Sequence, residues 1–318
     1  SHRRQGILRQ LMDGFDELAV EFDEPTLVLS ASEGSIYERF GYGIGTRTRA
    51  IEVDRRRTQI DPALTPEPVT LVYAADHIDE MMERFDRYRL NQPGEVSRSE
   101  ALFRDQNIER NKPDFAALHP DGYAIWEVDQ DWNGGHPAHT LVIKDMIAVT
   151  PAAHLALWNL MLSIDLVGPI RTMRSVSADD ALPYLLTDQR ALRTVGSNDM
   201  LWVKVADAAR SFSCRTYRND DRLVIGVHED LRLAASEDGA NLDALSLSER
   251  VSVGQDGAYV TDDPVDLVAT RAALGVLLVG GNASELAGGG RLLAGQKALE
   301  RADMLFGSGR TPHCRTAF

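Results

Sequence analysis

At 318 residues the chain is too long for one ordinary domain, and two or three hydrophobic cores are expected. A composition of 43% hydrophobic and 26% charged residues is that of a globular protein, and no apolar run reaches the roughly 18 residues of a membrane span. The net charge of −14 argues against nucleic acid, which calls for a basic surface. Cys214 and Cys314 alone imply neither a disulfide framework nor a cysteine metal site, and a reducing cytoplasm is the natural compartment.

The first element follows a basic turn, Arg3-Arg4-Gln5-Gly6-Ile7-Leu8-Arg9. Leu8, Leu11, Met12, Phe15, Leu18, Ala19 and Phe22 then recur at three- and four-residue steps, which predicts an amphipathic helix. A glycine-containing basic turn at a helix start can cradle an anion, because the free N–H groups of the first turn point outward. Taken alone the turn reads more simply as a solvated basic surface before a helix. Thr26 to Ser30 reads as a short buried strand, and Thr46 to Val53 alternates like another. Between them lies Ala31-Ser32-Glu33-Gly34-Ser35-Ile36-Tyr37-Glu38-Arg39-Phe40-Gly41-Tyr42-Gly43, a short helix carrying a tyrosine and ending in glycine turns.

This order resembles the second half of a GNAT acetyltransferase domain. Arg3-x-x-Gly6 resembles the superfamily's pyrophosphate loop, with Leu8 where Gly or Ala is usual, and Gly34-x-x-Tyr37-x-x-x-Gly41-Tyr42 resembles its acid-tyrosine segment. The fuller motif from Ala31 to Gly43 is similar to the Eis ("enhanced intracellular survival") family. The resemblance implies acetyl-CoA as co-substrate, bound through Arg3, Arg4, Gln5, Gly6, Ile7, Leu8, Arg9, Ser32 and Glu33. It also implies Tyr37 as the acid that protonates the departing thiolate. A GNAT domain normally supplies a strand before such a turn, so the copy reads as truncated at its N-terminus.

Asp54 to Pro68, charged and with three prolines, reads as a linker. Val69 to Tyr73 and Leu141 to Val149 read as strands, and Phe115–Leu118 with Tyr123–Val128 as a hairpin about His119-Pro120-Asp121-Gly122. Asp76 to Leu90 and Ala152 to Asp165 read as helices. A strand feeding a helix through Thr150-Pro151-Ala152-Ala153-His154 repeats the first plan without arginine or glycine, which points to a second, degenerate GNAT fold that binds no pyrophosphate. His136 and His139 read as loop residues rather than metal ligands.

From Leu201 onward short strands are expected at 201–205, 215–217, 223–227, 231–234, 251–253 and 259–261. Helices are expected at 267–278 and 288–302, giving an α+β domain. It resembles the sterol-carrier-protein-like domain that closes Eis proteins. The expected fold class is therefore α/β and α+β, with segments 1–53 (part of the catalytic GNAT domain), 54–68 (linker), 69–196 (degenerate GNAT-like) and 197–318 (sterol-carrier-like). The tail Pro312-His313-Cys314-Arg315-Thr316-Ala317-Phe318 resembles family tails whose terminal carboxylate is the general base, which assigns that role to Phe318. The implied reaction is direct acetyl transfer to a primary amine of a cationic substrate such as an aminoglycoside, or to a protein lysine. A homo-hexamer is implied, with no metal, nucleic acid or membrane partner. The rival readings are a lipid carrier and a non-catalytic scaffold.

Overall fold

The computed structural model describes residues 5–108, 114–229, 231 and 242–318. Two compact units emerge, one built from the chain up to Thr46 with Asp199–Pro312, the other from Arg47–Asn198 with His313–Phe318.

In the first unit, helix α1 (Ile7–Glu21) starts at Gly6, whose φ of 76° is left-handed and natural only to glycine. Its apolar residues form two stripes. Leu8, Met12 and Ala19 turn inward, whereas Leu11, Phe15 and Leu18 stay exposed, as does Phe22 just beyond the helix. Strands β1 (Thr26–Leu29) and β2 (Gly43–Ile44) flank Trp202–Val205 in a three-stranded antiparallel sheet. The expected helix around Tyr37 is a single 3-10 turn, Glu38–Phe40, closed by left-handed Gly41. A β-carbon on Gly43 would collide with the carbonyl oxygen of Ala272 and lie 2.9 Å from Val276 Cγ2, so glycine is what lets β2 approach that backbone.

The second unit begins with β3 (Arg47–Asp54), a strand of its seven-stranded sheet. Then follow β4 (Thr70–Tyr73), α2 (Ile78–Arg89), α3 (Glu100–Asn107), β5 (Phe115–His119), β6 (Gly122–Asp129) and a small hairpin, β7 (Trp132–Asn133) with β8 (His136–Pro137). Strand β9 (His139–Ala148), α4 (Pro151–Ser163), β10 (Val167–Val176) and β11 (Leu192–Asp199) complete it. The sheet order is β11-β3-β10-β9-β6-β5-β4. Alternate residues of β5 and β6 serve two cores. Ala117, Ala124 and Trp126 join Leu157, Trp158 and Met161 of α4, while Ala116, Tyr123 and Ile125 join Phe85 of α2 and Phe103 of α3. Helices thus cover both faces of the sheet.

Strands β9 and β10 run parallel, joined through α4, and pair from His139↔Val167 to Ile143↔Thr172, with a register shift between Val167 and Ile170. Beyond that pair the ladder ends, and a bulge carries β10 on to pair Val176 with Arg49 of β3. The tail enters here. His313 Nε2 donates to the Arg174 carbonyl at 2.8 Å, and Arg315 Nη1 donates to the Met146 carbonyl.

The chain re-enters the first unit with β12 (Trp202–Val205), α5 (Ala208–Ser213), β13 (Arg222–His228), β14 (Glu249–Gly254), β15 (Gly257–Val260) and β16 (Leu267–Thr270). Then come α6 (Arg271–Leu278), α7 (Ala283–Gly288), β17 (Leu292–Ala294) and α8 (Gln296–Phe306). Strands β15-β14-β13-β16-β17 form a five-stranded sheet, whose core includes Phe212, Leu274, Leu277, Leu305 and Phe306.

Three expectations for this region need correcting. Residues 267–278 are not one helix: Leu267–Ala269 pair with β13 and β17, and Thr270 caps α6 by accepting from Ala273 N. Residues 288–302 divide likewise, because Gly288 ends α7 and Gly290 has a φ of 67°. Residues 215–217 form no strand; Arg215 instead donates to the carbonyls of Leu277 and Phe306, each at 2.7 Å. Of the expected strand at 231–234, residues 232–234 lie outside the described residues.

Two outcomes are expected. Gly43→Ala should destabilise the protein by about 2 kcal/mol through overpacking, read as a lower urea midpoint; an unchanged midpoint would contradict the close packing. Burial first, and then the charge of Arg315, hold the His313 imidazole below its ordinary value. The unfolded chain therefore binds more protons, and stability is present at neutral pH and lost as pH falls through about 6.5. That acid loss should be smaller in His313→Gln, which keeps a donor but does not titrate.

Candidate active site

The first unit gathers most of the expected cofactor residues. Among the described residues no side chain caps α1, and its first turn holds no acidic residue. The N–H groups of Ile7, Leu8 and Arg9 have no partner within the helix, and the dipole adds partial positive charge there. Gln5, Gly6, Ile7 and Arg9 are exposed, and Leu8 packs on the small core of Met12, Tyr42 and Trp202. Arg3 and Arg4 lie outside the described residues. Ser32 and Glu33 are exposed on the loop after β1.

Tyr37 sits partly buried on that same small core. Its ring lies 6.4 Å from Tyr42, edge-on, and 6.3 Å from Trp202. Its carbonyl accepts from Phe40 N at 3.0 Å and Tyr42 N at 3.3 Å, which fixes the backbone of the turn. Tyr42 differs: burial, and then the Asp16 carboxylate, push its hydroxyl up to about 12. Beside the turn is a cavity of about 400 Å³ bounded by Glu38, Arg39, Glu229, Arg271 and Arg291. Two of those arginines already pair with carboxylates, Arg291 with Glu38 at 2.6 Å and Arg271 with Glu229 at 2.9 Å.

Helix α4 of the second unit begins in the opposite way. Proline occupies its first turn, Thr150 accepts from Ala153 N at 3.3 Å, and Thr150 in turn donates to Asp121 at 3.2 Å. A filled cap beside a carboxylate repels an anion rather than inviting one. The hydrogen bond from Arg87 outweighs burial and holds that carboxyl below the usual range, with a smaller contribution from Thr150. His136 lies on the β7–β8 hairpin, and His139 Nδ1 accepts from Asp131 N at 3.0 Å. Among the described residues no three His, Cys, Asp or Glu side chains form a metal-binding group, and no helix is long and apolar enough to cross a membrane.

Phe318 belongs to the second unit, where the tail lies in a buried polar network. Glu95, on the loop between α2 and α3, has a wholly buried side chain. Its oxygens accept from Arg315 N at 3.0 Å, Thr316 N at 3.4 Å, Thr316 Oγ1 at 2.7 Å and Cys314 Sγ at 3.4 Å. Arg98 donates to Thr316 Oγ1 at 2.8 Å and to Asp145 at 2.5 Å, and Tyr123 donates to Asp145 at 2.7 Å. Arg315 reaches the Tyr88 hydroxyl at 2.7 Å, and Gln106 donates to the Ala317 carbonyl. Burial raises the Asp145 carboxyl, but Arg98 and then Arg315 outweigh it and hold the group ionised. The Cys314 thiol is pushed well up by burial and by Glu95, so it stays protonated. Phe318 itself is 51% exposed. Glu95, Arg98 and Asp145 escaped the sequence reading, because charged residues in a loop or strand carry no periodic signal that marks them as buried.

Residues 1–45 and 94–210 each match an acetyltransferase (GNAT) domain. An uncharacterised N-acetyltransferase of Streptomyces griseus is 32% identical, over 100% of this chain and 79% of that protein. The N-acetyltransferase Eis of Mycobacterium tuberculosis is 31% identical, over 97% of this chain and 75% of that protein. The crystal structure of Eis1 from Mycobacterium abscessus superposes with a TM-score of 0.85 at 28% identity, covering 100% of this chain and 79% of its own. Helices on both faces of a mixed sheet, a glycine-led helix start and the Tyr37 turn agree with these likenesses: the chain belongs to the Eis-like family of GNAT N-acetyltransferases.

Proposed function

We propose that this acetyltransferase moves the acetyl group of acetyl-CoA directly onto a primary amine of a cationic substrate, with an aminoglycoside as the first candidate. The observation that carries the reading is the uncapped, glycine-led start of α1 in the same unit as the half-buried Tyr37. The N–H groups of Ile7, Leu8 and Arg9 would take the pyrophosphate oxygens, with Arg3, Arg4 and Arg9 adding charge and Gln5 and Gly6 shaping the turn. Ser32 and Glu33 would line the pantetheine path.

In the transfer, the amine nitrogen attacks the thioester carbonyl and the carbon–sulfur bond breaks. The terminal α-carboxylate of Phe318 accepts one proton of the ammonium before attack, and the Tyr37 hydroxyl gives its own to the departing thiolate sulfur. The second proton, shed by the nitrogen as the amide forms, restores the tyrosine hydroxyl through solvent. A tyrosine suits the acid step because its hydroxyl is a hydrogen-bond donor. The filled cap of α4 supports a single acetyl-CoA site per chain. The five-stranded sheet with α6 to α8 is, in this reading, the sterol-carrier-like domain, and the remaining family traits, a cytoplasmic homo-hexamer among them, go with the same proposal. Acetylation of protein lysines is the second reading, since a net charge of −14 favours any cationic acceptor.

The test is CoA release by the full-length protein with kanamycin and, in parallel, with lysine peptides. Tyr37→Phe keeps the ring contacts and should lower kcat about 100-fold, whereas Tyr42→Phe should stay near wild type. Deleting Phe318 should lower kcat comparably. Wild-type rates in Tyr37→Phe would remove the acid role, and wild-type rates without Phe318 would remove the base role.

A further inference from the structure

We infer that Glu95 is a positioning residue for the terminal carboxylate, acting through the tail it holds; the inference rests on the reading of Phe318 as base. Four donors of residues 314–316 converge on this one carboxylate, whose side chain is wholly buried. Oε2 takes the Arg315 N–H, and Oε1 takes the Thr316 N–H and hydroxyl. Both oxygens therefore face backbone donors, so the neutral amide of glutamine cannot substitute: whichever end carries its NH₂ meets an N–H group.

The charge balance points the same way. Among the described residues, this pocket of the second unit holds, without the tail, two buried carboxylates, Glu95 and Asp145, and one buried cation, Arg98. Arg315 brings the second cation, stacked over the Tyr88 ring at 4.4 Å. A buried charge without a partner is strongly disfavoured, so the pocket selects the docked tail over the free one. Among the described residues, anchoring runs up to the Ala317 carbonyl, held by Gln106. Phe318 follows this anchored stretch, half exposed, so among the described residues its carboxylate is presented on a short lever with a rigid root.

The experiment compares the full-length protein with Glu95→Gln and with Thr316→Val, which removes only the hydroxyl shared by Glu95 and Arg98. Two quantities are read: hydrogen exchange of the tail peptide, and kcat with KM for acetyl-CoA. For Glu95→Gln we expect tail exchange to rise at least about tenfold, kcat to fall about tenfold or more, and KM for acetyl-CoA to stay within about twofold. Thr316→Val should move both readouts in the same direction by less, and serves if the first variant fails to fold. Unchanged tail exchange in both variants overturns the inference. So does faster exchange with an unchanged kcat, if deletion of Phe318 still lowers kcat in the same assay. If deletion of Phe318 leaves the rate intact, the base reading has failed, and the inference falls with it for that distinguishable reason.

Discussion

A backbone carbonyl buried without a donor is costly, and the parting of β9 from β10 creates the need for two donors at one place. The ladder ends at Ile143↔Thr172, so the carbonyls of Met146 on β9 and Arg174 on β10 cannot satisfy each other. His313 and Arg315 of the tail supply those donors. From this one constraint follow the route of the last residues, the buried cation that balances Glu95 and Asp145, and the exposure of Phe318 alone. The tail is thus an integral element of the second unit, even though more than a hundred residues of the first unit precede it in sequence.

The two GNAT-type regions differ most at one helix end each. Gly6 leaves the start of α1 open to an anion, while Thr150, Pro151 and Asp121 close the start of α4. The same secondary-structure plan therefore serves two ends. In the first unit it offers unsatisfied N–H groups, and in the second it satisfies them internally and gives the strand opening to the chain's own terminus. Fold likeness alone would have predicted two equivalent sites; capping chemistry separates them.

Local signals were the legible part of the fold. Periodicity located α1, α2 and α4, and turn chemistry located the β5–β6 hairpin, because in these segments one face or one dipeptide dominates. Residues 267–278 misled because a fully buried strand and a buried helix are both continuous apolar runs, and only the Thr270 cap divides them. Strand β10 and helix α3 went unseen, the first because its buried side includes the polar Thr172 and Ser175 while Met173 is exposed, the second because only Phe103 and Asn107 of its eight residues are buried. At the candidate site, the glycine turn and Tyr37 carried motifs. Glu95 carried none, since its burial depends on a tail more than two hundred residues away in sequence.

Calorimetric titration of acetyl-CoA into the full-length protein and into Gly6→Val tests the account most directly. The account predicts one binding event per chain, weakened about tenfold or more when a side chain replaces the left-handed glycine. Two binding events per chain, or affinity indifferent to Gly6→Val, would contradict it.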